Sequence, residues 1–514
     1  MEMHIFIWKQ IKEYQNVQFL QLTPYDKKGQ QFFEENDPIE HSNLFKNIST
    51  KTPRNIAWGK KDELDVLKFY CSAFIKNKNK KNEQSTHNID PLNPIESLLW
   101  EKNKVQVIQQ QGQNTEDQEE QKQMEQLMKN KFFPLFKETQ FDRKYQVELP
   151  HLLDQKFEVY QEGQILAKTD QLAELNEDKI RLILEESDYV NGFQVFVDAD
   201  SGFGGYCEEV LQIVLDECPK KPIITYSLYD YENNKLQNNK NFVNEIISLD
   251  RFREMSSILV PINLNRLTKF SDYVNYNSNM ELFDRSMLVA SLFSGLTGGY
   301  RAKESNGLQD FYKNIVSYPS NNIFNSTFTI PLIKDENGTL LNEHIFNYQT
   351  KRDQFNYLYH DFDKYWNDEQ WGAPESFGES YFLRGVVQMP QEPPKSNSMQ
   401  MRIVEALLLY KTKYHRHLFS QNIQERYLYQ LDSQENYDEF SLPLHTAIFS
   451  NEQFSTKIKQ LTKGQENLTK STKVSYYQLD YSEEDFEELK SKYQDLFESY
   501  AKQEQLHIEE EEFE

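Results

Sequence analysis

The sequence predicts an α/β protein with a parallel sheet at its centre, and three consecutive segments carry that prediction. Residues 193–197 (FQVFV) have the length and composition of a short buried strand. A glycine-bearing turn, Asp198-Ala199-Asp200-Ser201-Gly202-Phe203-Gly204-Gly205, follows. Cys207, Val210, Leu211 and Val214 then recur at i, i+3, i+4 and i+7, which marks a helix running to about Glu217 before Pro219. Residues 222–228 (PIITYSL) supply the next strand. Strand, glycine turn, helix, strand is a βαβ unit, and its two strands run parallel.

The flanking elements follow from the same periodicities. Ile180, Ile183 and Leu184 place a helix over 177–189, which Asn191-Gly192 stops. Helices are predicted over 241–249 and 280–292, and a short one over 307–315, ended by Ser317-Tyr318-Pro319. The apolar runs 287–293 and 403–410 are expected as core helices. Strands are predicted over 326–332, 381–387 and 444–449. Near the end, Phe486, Leu489, Tyr493, Leu496 and Tyr500 step by three and four, with Ser482 and Asp485 as a capping box. The expected order is parallel α/β first, then mixed α+β, then helix.

The chain has 514 residues, and although only 38% are hydrophobic, 35 Phe and 30 Tyr supply large rings for a core. The formal net charge is −24. That excludes the basic footprint of a nucleic-acid binder, and it disfavours anionic lipid surfaces. No apolar run approaches the roughly 18 residues that span a bilayer. Three cysteines (Cys71, Cys207, Cys218) make no disulfide framework. The first residues lack the layout of a signal or presequence, so the cytosol is the expected address. Residues 76–88 and 109–129 are polar and expected to form a solvated insertion, and residues 508–514 (IEEEEFE) an acidic tail.

A glycine turn between strand and helix can cradle phosphate, because backbone N–H groups and the helix dipole converge there. The plain alternative is a βα loop that needs glycine for its backbone angles. The segment 192–214, GFQVFVDADSGFGGYCEEVLQIV, resembles the nucleotide-loop region of tubulin and FtsZ, where a Gly-Phe-Gln strand leads into Gly-Gly-Gly-Thr-Gly-Ser-Gly. Residues 285–301 with Gly298-Gly299-Tyr300-Arg301, residues 310–319 (DFYKNIVSYP), Phe382-Leu383-Arg384-Gly385 and residues 481–500 are similar to further tubulin segments in the same order. The Misato family of divergent tubulin-like proteins is the family the chain most resembles, through residues 185–194 (EESDYVNGFQ) and Asp200-Ser201-Gly202-Phe203.

The resemblance implies a tubulin/FtsZ-like fold: an N-terminal domain over 1–265 with a polar insertion at about 73–130, a middle domain over 266–395, and a C-terminal helical region with an acidic tail over 396–514. On the same resemblance no family-like first strand and glycine loop precede Phe19, so either both are absent or the sequence starts too late to include them, and residues 3–10 match a helical His-aromatic-Trp segment. The residues aligned with the nucleotide site are Ser201, Gly202, Gly204, Gly205 and, more loosely, Asn263. On that alignment Asp200 and Ser201 replace the first two glycines, Phe203 the threonine and Tyr206 the last glycine. Each change disfavours a phosphate. A tyrosine restricts backbone approach, and a phenylalanine offers no hydroxyl. Asp198 and Asp200 add negative charge unless a metal ion such as Mg²⁺ sits between them and the phosphate, which makes both candidate metal ligands.

Asp310 falls where the resemblance places the carboxylate that activates hydrolysis on the next subunit; the alternative is a first-turn acid facing the helix dipole. His415 and His417 have no companion ligands at metal-site spacing. No cofactor is therefore expected, with GTP as the alternative. The implied role is a non-catalytic tubulin-like protein for mitochondrial distribution, morphology and inheritance, acting from the cytosol or peripherally on the outer mitochondrial membrane. The alternatives are a GTP-hydrolysing filament former and a tubulin-assembly or spindle factor. Expected partners are proteins: tubulin, chaperonin machinery or mitochondrial surface proteins, with neither nucleic acid nor a transmembrane segment.

Overall fold

The computed structural model describes residues 2–7, parts of 45–60, 143–149, 157–229 except 188, 240–263, parts of 293–329, 358–359, 376–384, 401–406, 414–415, 439–440, 444–451 and 454–501. Within these, six strands make one sheet: β1 (Glu2–Ile7), β2 (Asn55–Lys60), β3 (Gln146–Leu149), β4 (Gly192–Asp198), β5 (Ile223–Tyr229) and β6 (Ile258–Asn263). Their spatial order is β3-β2-β1-β4-β5-β6, and every neighbouring pair is parallel. The chain winds outward one way from β1 to β3 and the other way from β4 to β6. The topological switch point therefore lies between β1 and β4, where open parallel sheets form their ligand crevice at the carboxyl ends of the strands.

The first strand corrects one expectation. Within the expected helical segment 3–10, the described residues are not helical: Glu2–Ile7 is a central strand, with His4 opposite both Asn55 of β2 and Gln194 of β4, and residues 8–10 lie outside the described residues. The strand expected to be missing is present. Ile5, Phe6 and Ile7 suit a pleated surface, and pairing on both edges fixes the strand.

One face of the sheet carries α1 (Tyr160–Ala167), α2 (Asp170–Glu185), α3 (Gly202–Glu217) and α4 (Lys240–Met255). Their apolar stripes meet Phe193, Val195 and Val197 of β4 in one buried cluster. The other face is aromatic. Phe196 stacks on Tyr226 at 5.0 Å, and Phe293 stands edge-on to both at 4.7 and 5.2 Å. A short turn, Gly298–Arg301, adds Tyr300, whose hydroxyl meets that of Tyr226 at 3.2 Å. The abundant Phe and Tyr of the sequence are used on both faces, since the helix-covered cluster also buries Phe157, Tyr160, Phe203, Tyr206 and Tyr229. It continues into α5 (Leu308–Ile315), where Phe311 packs 5.2 Å from Tyr300.

A second, mixed sheet follows. It is built from β7 (Asn325–Thr329), β8 (Leu358–Tyr359), β9 (Ser376–Arg384), β10 (Met401–Ala406) and β11 (Leu444–Asn451), in the order β8-β7-β11-β9-β10. Only β9 and β10 pair in parallel. Here the run 403–410, expected as a core helix, is corrected over its described part: Met401–Ala406 is a strand held along the whole of residues 379–384, and residues 407–410 lie outside the described residues. The β-branched pair Ile403-Val404 sits well on a pleated surface, and pairing decides against the leucine-rich run beyond it. The expected helix 280–292 and the polar stretches 76–88, 109–129 and 508–514 lie outside the described residues, as does His417.

The chain closes with α6 (Phe454–Glu466), α7 (Lys470–Tyr477) and α8 (Glu483–Ala501). Ser482 and Asp485 form the expected capping box: the Ser482 amide donates to Asp485 Oδ2 at 2.6 Å and the Asp485 amide donates back to Ser482 Oγ at 3.3 Å. Phe486, Leu489, Tyr493, Leu496 and Tyr500 form the buried stripe of α8. Tyr493 donates to the Ile246 carbonyl at 2.8 Å, which seats α8 on α4. Tyr500 meets the backbone of Ile323 next to β7, so the same helix touches both halves of the molecule. No described helix is long and apolar enough to cross a membrane.

Candidate functional site

The glycine turn lies where an α/β sheet binds ligands. β4 ends at Asp198, and Ala199, Asp200 and Ser201 lead into α3 at the carboxyl rim beside the switch point. Ser201 is the N-cap of α3: its Oγ accepts from the Phe203 amide at 3.3 Å and donates to the Asp198 carbonyl at 3.3 Å.

The donors a phosphate would need are the first amides of α3, and three of them already have acceptors within the chain. The Gly202 amide donates to the Phe157 carbonyl at 3.3 Å, that of Phe203 to Ser201 Oγ, and that of Gly204 to the Ser201 carbonyl at 3.1 Å. The Phe157 ring lies over Gly202, where an added Cβ would come within 2.9 Å of it. Phe203 is fully buried and meets Phe157 edge-to-face at 5.1 Å. A carbonyl, a serine hydroxyl and an aromatic ring thus occupy the helix entrance. The described residues of the turn do not fit a triphosphate.

What the glycines admit instead is another helix. A Cβ on Gly205 would overlap the Tyr160 carbonyl oxygen, and one on Gly163 of α1 would overlap the Gly202 carbonyl oxygen and come within 2.5 Å of the Tyr206 nitrogen. A Cβ on Gly204 would sit 3.0 Å from the Tyr160 ring and 2.9 Å from Ser248 Oγ. α1 and α3 approach backbone to backbone, which only glycine permits. Gly163 was not foreseen. Its one sequence signal is a glycine inside an eight-residue helix, a position that costs about 1 kcal/mol relative to alanine unless close approach requires it.

Side chains from α4 hold the turn from beneath. Ser248 Oγ donates to the Ala199 carbonyl at 2.7 Å. Asn244 Nδ2 donates to the carbonyls of Asp200 at 2.9 Å and Glu158 at 2.6 Å. Its Oδ1 accepts from the Tyr160 amide at 3.0 Å and from the Tyr476 hydroxyl at 2.8 Å. Beside it, Glu208 accepts from the Tyr160 hydroxyl at 2.9 Å and Gln164 Nε2 at 2.8 Å, with Arg251 Nε at 3.6 Å. Burial raises the Glu208 carboxyl above its ordinary value, a push that Arg251 and Tyr160 oppose. Burial also raises the Tyr160 hydroxyl, so it stays a donor. Asn176 Oδ1 accepts from Trp58 Nε1 at 2.7 Å and from Tyr206 at 2.9 Å, which ties β2 to α3 through α2.

The remaining candidates are dispersed. Asn263 is buried at the last position of β6, opposite Tyr229, on the same rim as the turn but two strands away, roughly 10 Å at sheet spacing. Asp198 is half-buried and Asp200 buried at the turn itself. Among the described residues no group of three or more His, Cys, Asp or Glu is placed to hold a metal ion. Asp310 stands in the first turn of α5, with Asn314 Nδ2 donating to its Oδ2 at 3.2 Å. The start of α5 packs on Gly192, at the opposite end of β4 from the turn. Seven strand residues separate those ends by about 20 Å. The structure therefore does not bring Asp310 to Ser201, Gly202, Gly204 or Gly205.

Comparison with known proteins is consistent with this architecture. A family model described as a tubulin domain matches residues 136–296. The chain is 24% identical over 186 residues to Protein misato homolog 1 of Macaca fascicularis, a stretch covering 34% of this chain and 32% of that protein. It is 26% identical over 156 residues to the Homo sapiens protein of the same name, covering 28% and 27%. It is 28% identical over 192 residues to Protein DML1 of Phaeosphaeria nodorum, covering 35% and 36%. The matches thus span about a third of the length of these relatives.

Proposed function

We infer that this chain, a divergent tubulin-like protein of the Misato family, works as a binding protein rather than as a GTPase, in the distribution, morphology and inheritance of mitochondria. The observation that supports the non-catalytic part is the entrance of α3, where the Phe157 carbonyl, Ser201 and the Phe157 ring stand in place of a phosphate. Ser201, Gly202, Gly204 and Gly205 are then the remnant of a nucleotide loop, kept for helix packing. Asn263, Asp198 and Asp200 hold neither base nor metal, and GTP is not a resident cofactor. The family resemblance supports the mitochondrial part, and on this reading the protein acts from the cytosol or peripherally on the outer mitochondrial membrane. With a net charge of −24, its partners are proteins with basic surfaces sooner than nucleic acid or anionic lipid. Tubulin, chaperonin machinery and mitochondrial surface proteins are the classes to test by pull-down.

Depletion of the protein from its own cells, followed by imaging of the mitochondrial network, tests this reading. Clumped or unevenly inherited mitochondria, restored by re-expression, are expected. A normal network with a disturbed spindle would favour the tubulin-assembly role instead.

One observation favours a second reading, a GTP-driven filament. The turn and Asp310 lie on opposite rims of one sheet, the placement a head-to-tail stack would need for one subunit's acid to reach the next subunit's turn. Light scattering of the purified protein with GTP separates the two: assembly that tracks GTP turnover supports the filament, and its absence supports the binding protein.

A further inference from the structure

We propose that the C-terminal helical hairpin is a clamp on the glycine turn, acting through Tyr476 and Asn244. Asn244 uses all four of its side-chain hydrogen-bonding valences: two N–H groups on the Glu158 and Asp200 carbonyls, two lone pairs on the Tyr160 amide and the Tyr476 hydroxyl. Both carbonyl partners can only accept, so the amide orientation is determined. One buried residue thereby joins the turn, the start of α1 and the hairpin. Three of these four partners hold the Phe157–Gly163 segment against the turn, and the fourth comes from α7, more than 200 residues later in the chain.

The hairpin is built to deliver that hydroxyl. Thr469 caps α7, accepting from the Thr472 amide at 3.4 Å. Asp480, at φ 62, reverses the chain between α7 and α8. Lys473 bridges to Glu483 at 2.7 Å across that reversal. Tyr476 is fully buried with Phe486 of α8 edge-on at 6.0 Å, and its hydroxyl also lies 3.0 Å from the Lys240 carbonyl at the start of α4. α8 is anchored on α4 in turn, by Tyr493 on Ile246 and by Lys492 on Asp250 at 3.4 Å. A protein partner that displaces α7 would remove one of the two acceptor-side bonds of Asn244. That would loosen the cover on the amides of Gly202, Phe203 and Gly204 at the switch point. The coupling holds whether or not the turn has any affinity for nucleotide.

Hydrogen exchange of the full-length Tyr476→Phe protein tests the clamp, since the ring is kept and only the hydroxyl is lost. Exchange over 157–163 and 199–204 should accelerate about five-fold, the effect of one lost hydrogen bond, while β5 and β6 keep their protection. Unchanged exchange at the turn, or an equal rise across the whole sheet, overturns the proposal. Asn244→Ala should accelerate the same two segments more strongly. Adding Tyr476→Phe to it should have no further effect there, because the Tyr476 hydroxyl reaches those two segments through Asn244. Additive acceleration in the double variant would also overturn it.

Discussion

Gly163 of α1 and Gly202 of α3 meet backbone to backbone, so closely that a single methyl on Gly163 would overlap the Gly202 carbonyl oxygen. The same surface of α3 that a nucleotide-binding turn would show to phosphate is here turned toward a neighbouring helix. Gly163→Ala and Gly205→Ala should each destabilise the protein by about 1–3 kcal/mol or more, since backbone rather than a flexible side chain has to move. Gly204→Ala should cost less, because it meets the side chains of Ser248 and Tyr160 at 2.9 and 3.0 Å and no backbone atom. Urea denaturation of the three variants checks the order, which fails if Gly204→Ala proves the most damaging.

Among the described residues, Asn176 Oδ1 accepts from two buried donors at once, Trp58 Nε1 and the Tyr206 hydroxyl. Tyr206→Phe removes one donor and leaves no orphan, so it should cost about 1 kcal/mol. Asn176→Ala strands both donors and opens a gap, and should cost at least twice as much. Equal denaturation midpoints for the two variants would contradict this reading.

Glu208 and Asp250 both carry carboxyl groups raised by burial, above ordinary values of 4.5 and 3.8. A raised acid holds its proton to higher pH in the folded state than in the unfolded one. Between the unfolded and folded values the native protein therefore binds more protons, and stability falls as pH rises through that window. Arg251 and Lys492 oppose the burial effect. Glu208→Gln should flatten the fall that begins just below pH 4.5. Denaturant melts from pH 4 upward measure it, and an unchanged slope would show that Glu208 is not its source.

The elements that came through from the sequence are those with a strong period or a local chemical signature. The βαβ unit around 192–229, the apolar stripe of α8 and its Ser482–Asp485 capping box are all of that kind. β1 and β10 were missed because each is fixed by pairing with strands outside its own segment: β1 by β2 and β4, β10 by β9. The turn was recognisable as a phosphate-loop relative, but its present use was not. That use depends on Phe157, Gly163 and Asn244, whose partners lie from about 40 to more than 200 residues away and carry no periodic signal. Isolated buried polar residues such as Asn176 and Asn244 are set by what surrounds them in space, and a linear pattern does not reveal them.

The central claim is that the turn at Ser201–Gly205 has become a packing element. Its most direct test is to purify the full chain without added nucleotide, extract it with acid, and titrate the native protein with GTP and Mg²⁺ by calorimetry. The account predicts no guanine nucleotide in the extract and no saturable heat. Stoichiometric bound GTP or GDP, or a saturable isotherm lost on substitution of Gly202, would contradict it.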